Sequence, residues 1–527
     1  MTMTLFTQPN YFSEKLNNHL KEEIAKHSLG DYNQAILYGN LPDYFAQLEQ
    51  YWQAHHITPQ DCIAFECDNT TVSLIVLLAL FYRGQHFLLL PPEGNALKEP
   101  NFKPNIPEFC KLHLTVTTIN DTVLSPKQFI TQLNLYQHAA FSCNAEQQLK
   151  ANNQTQQPLL LVRTSGSMGN AKIVCYTHDN FMANAANCIE RFYLNANERV
   201  SITVPIFHLY GLGAGLIPAI LAGATINIQS NANILRFMSH ERQFKPSIIY
   251  LNPTLATMLL KARRNNHAYR CTISAGAALP ETIYHAYQQR FGPLINLYGS
   301  TEMGATATTT INMAQKATEQ AITSETPDTP SQSTKDYSSK PNHLLPLPHV
   351  QLLIDPDTHA LHCIHPYGFE MYVNHQGERI TISNNPYNTG DIAQALPNNY
   401  IELLGRQSDS TNRAGFLVQF ADIENALLRT GKVEQAVVLS GQQETIRGQK
   451  LVAFCTTKQT SLTPSQTTSE ASEVITSESI RQACFAELPR YAIPDEIILQ
   501  QSLPLAPSGK INRRALQTRI NETTSHT

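Results

Sequence analysis

Residues 163–174 read Arg-Thr-Ser-Gly-Ser-Met-Gly-Asn-Ala-Lys-Ile-Val and follow an apolar run, 159–162, that predicts a buried strand. Glycines allow the backbone to turn sharply and bring its N–H groups close to a ligand. The hydroxyls of this stretch add hydrogen-bond donors, and its lysine adds a point charge. The combination is typical of a loop that holds a polyphosphate, although the Gly-Lys-Ser/Thr ending of the common P-loop is missing. A Gly/Ser-rich surface turn is the alternative for this stretch by itself.

Length and composition favour a multidomain protein of the cytoplasm. The chain has 527 residues, which predicts about two to four domains. Its net charge of −4 is small and gives no reason to expect nucleic acid or an anionic membrane as a partner. The ten cysteines form no Cys-x-x-Cys pair, which argues against zinc ribbons and redox motifs. No apolar signal core opens the chain, which predicts a reducing, cytoplasmic location.

The apolar stretch at 209–228 is about long enough to span a membrane. It carries four glycines and Pro218, so a helix followed by a strand fits it better, and we predict no stable membrane insertion.

Helices and strands alternate through most of the chain, and this order predicts parallel strands with helices on both faces. The predicted helices cover 44–55, 71–82, 215–221 and 254–261, and the predicted strands cover 62–67, 86–90, 200–204, 224–228, 247–251 and 269–274. After about residue 405 the character changes to a compact segment with helices at 422–429 and 478–487 and strands at 435–440 and 451–456. The fold class is therefore α/β, with a large N-terminal domain of doubly wound mixed sheets and a small hinged C-terminal α+β domain.

The predicted boundaries are a large domain at 1–404, a hinge at 405–409 and a small domain at 410–527. Two segments, 314–342 and 456–479, are rich in Ser, Thr, Glu and Gln and poor in apolar residues. Such segments cannot bury enough apolar surface to offset the entropy of ordering. They are therefore predicted to be mobile loops.

Four further stretches carry chemistry that suits a nucleotide. Residues 296–302 end in Gly-Ser-Thr-Glu, and a carboxylate beside a phosphate loop suits Mg²⁺. Residues 387–391 end in an aspartate after a tight turn, which can accept both hydroxyls of a ribose. Arg406 follows a glycine and can fork onto a phosphate or a ribose. Lys510 follows a Pro/Gly-constrained turn. Each stretch by itself is also compatible with ordinary surface turns.

In this order, over most of the chain, the stretches resemble the AMP-forming adenylating enzymes: acyl- and aryl-CoA ligases, peptide-synthetase adenylation domains and luciferases. Three shorter pieces add to the resemblance. Residues 177–180 look like the family's Thr-His-x-Asn, residues 207–211 resemble its Phe-His segment, and residues 274–279 are similar to its Gly-Ala turn beside the adenine. The resemblance runs from about residue 45 to 517.

The resemblance implies a role for each matching position. Thr301 would touch the α-phosphate, Glu302 would hold Mg²⁺, and Lys510 would reach the carboxylate and the bridging oxygen. Asp391 and Arg406 would bind the ribose. The residues that would hold the β- and γ-phosphates of ATP are Thr164, Ser165, Gly166, Ser167, Gly169 and Lys172, and those that would border the adenine are Gly276, Ala277, Ala278, Tyr298 and Gly299.

The implied reaction is activation of a carboxylic acid as acyl-AMP, with release of pyrophosphate, followed by transfer to a thiol. The thiol would belong to CoA or to the phosphopantetheine of a separate acyl carrier protein, because no carrier attachment motif follows Lys510. Amino-acid-activating relatives place an aspartate near the Phe-His segment, and residues 207–215 contain none. A fatty, aryl or other organic acid is therefore favoured. His208 would line its pocket, with a core histidine as the alternative.

The chain departs from the family pattern at several positions. In the loop, Met168, Ala171 and Ile173 replace a usual threonine, proline and glycine. The hinge segment is less regular still, since Ser408, Asn412 and Leu417 stand where other residues are common. These departures motivate one alternative, a catalytically reduced ligand-binding homologue. An oxygenase of the luciferase kind shares the whole pattern and stays open, as does an amino-acid-activating enzyme.

Overall fold

The computed structural model describes fifteen stretches of the chain: residues 11–92, 106–117, 125–153, 156–163, 172–229, 234–263, 268–310, 340–382, 385–413, 416–445, 448–457, 475–488, 490, 492–505 and 511–524. The chain divides into two compact units. The first contains Met1–Leu353, His362–Tyr387 and Ala395–Glu402, and the second contains Ile354–Leu361, Asn388–Gln394 and Leu403–Thr527.

The first unit is built on two mixed sheets. Its first strands are β1 (Ser28–Gly30), β2 (Ala35–Leu37), β3 (Cys62–Glu66), β4 (Phe87–Leu90), β5 (Cys110–Val116), β6 (Leu133–Gln137), β7 (Leu159–Arg163), β8 (Ile173–Thr177), β9 (Arg199–Ile202), β10 (Thr225–Ile228), β11 (Ile248–Leu251), β12 (Cys271–Ser274), β13 (Leu294–Ser300), β14 (Gly304–Thr308) and β15 (His343–Pro346). Four strands run across the division between the units: β16 (Gln351–Ile354), β17 (Ala360–Ile364), β20 (Tyr387–Ala395) and β21 (Ile401–Arg406). Between β17 and β20 the chain forms two further strands of the first unit, β18 (Met371–Val373) and β19 (Arg379–Ile382).

Within the first unit, one sheet has the order β15-β14-β13-β12-β11-β9-β10-β1-β2. Its strands from β13 to β1 are parallel, and β14, β15 and β2 are antiparallel to their neighbours. The other sheet has the order β19-β18-β8-β7-β4-β3-β5-β6, with β7, β4, β3 and β5 parallel. Parallel strands are normally covered on both faces, which agrees with the continuous apolar runs from which they were predicted.

In the described stretches of the chain, ten α-helices cover these sheets. They are α1 (Tyr11–His19), α2 (Leu41–Ala54), α3 (Thr71–Arg83), α4 (Pro126–Ile130), α5 (Cys143–Asn152), α6 (His178–Phe192), α7 (Ile217–Leu221), α8 (Ile234–Phe244), α9 (Pro253–Ala262) and α10 (Glu281–Phe291). Helix α3 shows how the sequence determines where a helix begins and ends. The Thr70 side chain accepts a hydrogen bond from Ser73 N at its start, and Gly84 ends it at φ +70°. Among the described residues, no helix is long and apolar enough to cross a membrane.

The helix predicted over 215–221 is preceded by a π-helix that overlaps its start. The sequence predicts a helix over 215–221, whereas a π-helix covers Tyr210–Leu216 and only then does α7 begin. The glycines of this segment allow neighbouring groups to come close. A Cβ on Gly211 would collide with the Pro205 carbonyl, and one on Gly213 would lie 3.1 Å from the Phe181 ring. The wider turn of the π-helix follows from this close packing. The spacing of apolar residues along the sequence does not reveal it.

The second unit contains a small α+β fold, as predicted. Its strands are β22 (Ser410–Arg413), β23 (Phe416–Gln419), β24 (Val433–Thr445), β25 (Gly448–Thr457) and β26 (Glu496–Leu499), and its helices are α11 (Phe420–Arg429), α12 (Ser477–Glu487) and α13 (Arg513–Thr524). The sheet order is β23-β22-β25-β24, with β26 parallel to β25. The predicted boundary at 404/405 and the hinge at 405–409 stay predictions.

The two predicted mobile loops fall mostly outside the described residues, which omit 311–339 and 458–474. Their described ends correct the prediction. Thr456 lies in β25 and Ser479 in α12, whose start is capped by Thr476. Polar residues at helix starts are chosen for capping, so composition by itself misassigns them. The other predicted helices and strands are confirmed, with ends shifted by a few residues.

Candidate active site

Thr301 and Glu302 lie in a tight turn at the carboxyl end of β13, because β13 ends at Ser300 and β14 begins at Gly304. Ser300 Oγ accepts a hydrogen bond from Met303 N at 3.1 Å and closes the turn. The β13–β14 pairing shifts register between Tyr298 and Gly299. Such bulges redirect the side chains that follow them. The strand therefore delivers a hydroxyl and a carboxylate to the edge of the sheet.

Three hydrogen bonds from other elements hold this turn in place. Each of its carbonyl oxygens has a donor, and the donors come from β8, from the segment before β18 and from α6. The bonds are Tyr176 Oη to Thr301 O (2.9 Å), Phe369 N to Glu302 O (2.8 Å) and Asn184 Nδ2 to Met303 O (2.9 Å). The backbone that carries Glu302 is thus fixed by contacts that link the two sheets of the first unit.

Lys172 and Glu302 are far apart in the sequence, yet both contact Tyr372. In the antiparallel pairing of β8 with β18, Val174 lies opposite Tyr372, so Lys172 is the diagonal neighbour within reach of the ring. Its Nζ lies 5.0 Å from the ring centroid. On the other side, Tyr372 Oη donates a hydrogen bond to Glu302 Oε1 at 2.9 Å. The structure therefore brings together the lysine and the carboxylate that the sequence predicted for the phosphates and for Mg²⁺.

Most of the predicted phosphate loop lies outside the described residues, namely Thr164, Ser165, Gly166, Ser167 and Gly169. Its flanks are described: Arg163 pairs with Ile173 across β7 and β8. Ile173 stands where the resembled family usually has glycine, and its side chain is fully buried in the sheet. The departure at this position therefore serves packing of the strand. Met168 and Ala171 lie outside the described residues.

The predicted adenine side is an open surface. Strand β12 ends at Ser274, and Gly276, Ala277 and Ala278 follow as exposed residues. Gly276 has φ +86°, and a Cβ there would meet nothing within 4 Å. On the neighbouring strand, Tyr298 is half-buried and Gly299 is exposed. Ligands of open α/β sheets bind outside the carboxyl ends of the strands, so these residues fit a nucleotide.

The residues predicted for the ribose pair with each other in the second unit. Arg406 Nε lies 3.0 Å from Asp391 Oδ1, and the Asp391 side chain is 9% exposed. The turn before it is held locally, since Asn388 Oδ1 accepts from Gly390 N at 2.8 Å and Thr389 Oγ1 donates to Leu361 O at 2.8 Å. The predicted pair is thus brought together within one unit.

His208 is exposed, and its ring centroid lies 4.3 Å from that of Phe207. The alternative interpretation, a core histidine, is therefore wrong. Lys510, the remaining predicted catalytic residue, lies outside the described residues, and its role stays a prediction.

The segment that carries Phe207 and His208 is fixed from both ends. Before it, the buried Asn69 side chain donates to Val204 O (2.9 Å) and Gln229 O (3.1 Å) and accepts from Ile206 N (2.9 Å). After it, Tyr210 Oη lies 2.9 Å from Leu251 O and 2.8 Å from Ile273 O, at the carboxyl ends of β11 and β12. The segment is therefore placed against the same sheet edge as the adenine-side turn.

Residues 177–180 hold the start of α6. Thr177 accepts a hydrogen bond from Asn180 N as the helix cap, and Asn180 Nδ2 donates to Glu370 Oε1 at 2.6 Å. Burial lowers the pKa of His178 to about 3, and its ring centroid lies 4.9 Å from that of Phe81. This motif therefore supports the site by anchoring a helix.

The donor set suits Mg²⁺ held jointly with phosphate oxygens. Within the part of the chain that the structure describes, no group of three or more His, Cys, Asp and Glu side chains could hold a metal. Mg²⁺ is usually bound through one or two carboxylates and the phosphates of its nucleotide. The half-buried carboxylate of Glu302 fits that pattern.

Comparison with known proteins identifies the family. The profile of the AMP-binding enzymes matches residues 21–359, and that of the AMP-binding enzyme C-terminal domain matches residues 422–510. The chain belongs to the AMP-binding enzyme family. The predicted family and its activity class, acyl-AMP formation followed by thiol transfer, are confirmed. The family also supports ATP as a substrate.

Several members with known activities are similar over most of the chain. The indoleacetate–CoA ligase of Aromatoleum aromaticum is 22% identical over 95% of this chain and 96% of its own length. Bacitracin synthase 3 of Bacillus licheniformis is 23% identical over 92% of this chain but only 7% of its own length. The 3,4-dihydroxybenzoate–[aryl-carrier protein] ligase of Bacillus anthracis is 22% identical over 69% of this chain and 74% of its own.

Solved structures of AMP-binding enzymes share the fold. The anthranilate CoA ligase AuaEII in complex with anthranoyl-AMP matches with a TM-score of 0.69 and 18% identity, over 99% of this chain and 100% of that one. The o-succinylbenzoate CoA synthetase MenE of Bacillus subtilis, in complex with its acyl-adenylate, matches with a TM-score of 0.70 and 18% identity, over 97% and 98% of the two chains. The predicted α/β fold with a separate C-terminal domain is confirmed.

The sequence did not point to the residues that support the site. Two of them, Tyr372 and Tyr176, lie in apolar strands, where the local pattern suggests packing. Asn69 lies just before the start of α3, and Asn184 lies inside α6. Their partners are distant in sequence. No local signal marks Tyr372, which lies at the centre of the three-residue apolar strand Met371–Val373.

Proposed function

We propose that this chain activates an organic acid without an α-amine as its acyl-adenylate and transfers the acyl group to CoA. The convergence of Lys172 and Glu302 on Tyr372 supports this proposal most directly. It places a cation and a carboxylate together at the edge of the sheet, as a site for magnesium and a triphosphate requires. We also retain the cytoplasmic location that the sequence predicts.

In the first half-reaction a carboxylate oxygen attacks the α-phosphorus of ATP, and the bond to the bridging oxygen breaks so that pyrophosphate leaves. Lys172 would hold the β- and γ-phosphates, and Thr301 would contact the α-phosphate. Glu302 would hold Mg²⁺, which when bound supplies positive charge to the phosphates. Charges aimed at developing anions in a preorganised site are among the strongest contributions to catalysis.

The other roles follow the resemblance residue by residue. Asp391 and Arg406 would bind the ribose, and Lys510 would reach the carboxylate and the bridging oxygen. Gly276, Ala277, Ala278, Tyr298 and Gly299 would border the adenine. The open space above Gly276 supports the last assignment, because the edge of a flat base needs a backbone without a protruding side chain.

In the second half-reaction a thiol sulfur attacks the acyl carbonyl, and AMP leaves with the bonding electron pair. Two observations support CoA as the acceptor. The indoleacetate–CoA ligase matches over almost its whole length, and the aryl-carrier-protein ligase matches over a smaller share of both chains. A separate carrier protein is the second candidate.

The acid-binding side supports an acid without an α-amine. Residues 207–215 contain no carboxylate, so a charged ammonium has no counter-charge in that segment. His208 is exposed beside the Phe207 ring, which suits an aromatic or aliphatic acid with a polar group.

The test is a pyrophosphate-release assay with ATP, Mg²⁺ and separate panels of aryl, fatty and amino acids. We expect release with at least one aryl or fatty acid and strong loss in Lys172→Ala, with the exposed-site variant Lys127→Ala as control. Active acids are then offered CoA and a phosphopantetheinylated carrier protein in parallel. Absence of release with every acid would contradict the proposal, and release with amino acids alone would favour an amino-acid-activating enzyme.

A further inference from the structure

We propose that Tyr372 is a positioning residue that orients the Glu302 carboxylate for Mg²⁺ and holds the Lys172 ammonium for the phosphates. The inference rests on the proposed function, because it assigns Lys172 and Glu302 to ATP and its metal. It concerns a residue in neither the predicted loop nor the predicted metal turn. Two separate contacts of one side chain carry it, one through the hydroxyl and one through the ring.

The hydroxyl contact fixes the carboxylate. Tyr372 Oη donates to Glu302 Oε1 at 2.9 Å, so one carboxylate oxygen is tied to the protein and the carboxyl plane is set. The hydroxyl is the donor in this pair, because an ionised carboxylate only accepts hydrogen bonds. Removing a group that hydrogen-bonds a metal-ligating carboxylate typically weakens metal affinity about 10–100-fold.

The ring contact holds the lysine. Lys172 Nζ lies 5.0 Å from the ring centroid of Tyr372, within the distance at which a ring face attracts an ammonium. Such an attraction depends on the charge and not on a directed N–H donor. It therefore places the ammonium near the site while its donors can turn towards phosphate oxygens.

The ring itself has little room to move. Tyr372 is 7% exposed, and its backbone is fixed by the pairing of β18 with β8. The Phe369 ring centroid lies 4.6 Å from that of Tyr372, and Tyr387 Oη lies 3.2 Å from Tyr372 Oη. A rigid side chain that contacts both charges sets their separation before the nucleotide binds, which lowers the ordering cost of binding.

The test separates the two contacts with two substitutions. Tyr372→Phe removes the hydroxyl and keeps the ring, whereas Tyr372→Leu removes both. The control is Tyr287→Phe, which also deletes one buried hydroxyl, since Tyr287 Oη lies 3.1 Å from Thr272 Oγ1. Binding of a fluorescent ATP analogue is measured at equilibrium, without any acid, over a Mg²⁺ titration, and thermal unfolding is followed in parallel.

We expect Tyr372→Phe to raise the Mg²⁺ concentration for half-maximal binding about tenfold, with analogue affinity at saturating Mg²⁺ within about threefold of the wild type. Tyr372→Leu should in addition lower that affinity about fivefold, and Tyr287→Phe should change neither. A Mg²⁺ dependence of Tyr372→Phe equal to that of the wild type would overturn the inference, as would an equal shift in Tyr287→Phe. If the wild type binds no analogue at any Mg²⁺ concentration, the proposed function fails and the inference fails with it.

Discussion

At the scale of single residues, the predicted site residues depend on uncharged neighbours for their positions. Glu302 is placed by hydrogen bonds from Tyr372 and from Phe369 N, and the backbone just before Phe207 is held by the Asn69 amide through Ile206 N. Such neighbours determine whether a charge is presented in one orientation or many. Substitution of a charged site residue and substitution of a neighbour that supports the site are therefore expected to change different measured quantities.

Lys510→Ala should lower the rate of acyl-adenylate formation about 10²–10³-fold, by analogy with other preorganised donors that stabilise a developing charge. The affinity for AMP should change much less, because AMP lacks the bridging oxygen at which that charge develops. Pyrophosphate exchange and AMP titration measure the two effects, with Lys127→Ala as control. A parallel loss of AMP binding would contradict the assigned role.

Asn69→Ala should raise the KM for the acid more than the KM for ATP. It leaves the buried Val204 O, Gln229 O and Ile206 N without their partner, and each unsatisfied buried group costs about 1–3 kcal/mol. We expect the free energy of unfolding to fall by about 3 kcal/mol. Asn69→Asp keeps the acceptor and should retain the bond from Ile206 N. Equal changes in the KM for acid and for ATP would refute a specific role in placing the Phe207 segment.

At the scale of elements, the turn between β13 and β14 is the most constrained part of the site. Its three carbonyls are bonded to three different elements, and the glycine that ends it has φ +65°. A Cβ on Gly304 would collide with the Asn184 side chain, whose amide holds Met303 O. Conformation and packing thus demand glycine at the same position.

Gly304→Ala should destabilise the first unit by about 2 kcal/mol, from backbone strain and displacement of Asn184. Because the turn carries Glu302, the apparent affinity for Mg²⁺·ATP should fall as well. The control is Gly431→Ala, where φ is +74° but a Cβ would meet nothing within 4 Å. Denaturant unfolding and nucleotide titration measure the two effects, and unchanged nucleotide affinity in Gly304→Ala would show that the turn tolerates the shift.

At the scale of the whole molecule, buried neutral histidines make the first unit sensitive to acid. Burial lowers the pKa of His86 to about 4 and that of His178 to about 3. His86 Nδ1 accepts a hydrogen bond from Leu159 N at 3.1 Å, and His178 packs against Phe81 and Phe87. The neighbouring charges that act on the two rings, Lys150 on His86 and His86 on His178, also disfavour protonation.

Both folded pKa values lie below the unfolded value of about 6.5. As the pH falls below about 6.5, these histidines take up protons in the unfolded state but stay neutral in the folded state. The free energy of unfolding is therefore highest above about pH 6.5 and decreases as the pH falls towards the folded pKa values. Between about pH 7.5 and 5.0 we expect each histidine to lower the free energy of unfolding by about 2 kcal/mol. His178→Phe should remove its share of that fall, as measured by urea unfolding at both pH values. An unchanged pH dependence in this variant would contradict the assignment.

Much of the fold was predictable because it depends on local patterns. Apolar runs bounded by Gly, Pro and capping residues located β3, α3, β4 and most of the parallel core, and their alternation predicted mixed α/β sheets. The order of the phosphate loop, Glu302, Asp391 and Lys510 predicted the family, since chemistry at fixed places along a chain is readable without coordinates. The π-helix at Tyr210–Leu216 was not predictable, because it results from close packing against Pro205 and Phe181.

The sequence by itself determined the family and the α/β architecture, and it predicts which charged residues would meet ATP. Only the tertiary structure decided that Lys172 and Glu302 share Tyr372, that Asn69 holds the Phe207 segment, and that His208 is exposed. The physical reason is that these contacts join strands and turns far apart in sequence. Side chains such as Tyr372 and Asn69 look locally like ordinary packing or capping residues, and pairing across the sheets gives them their partners.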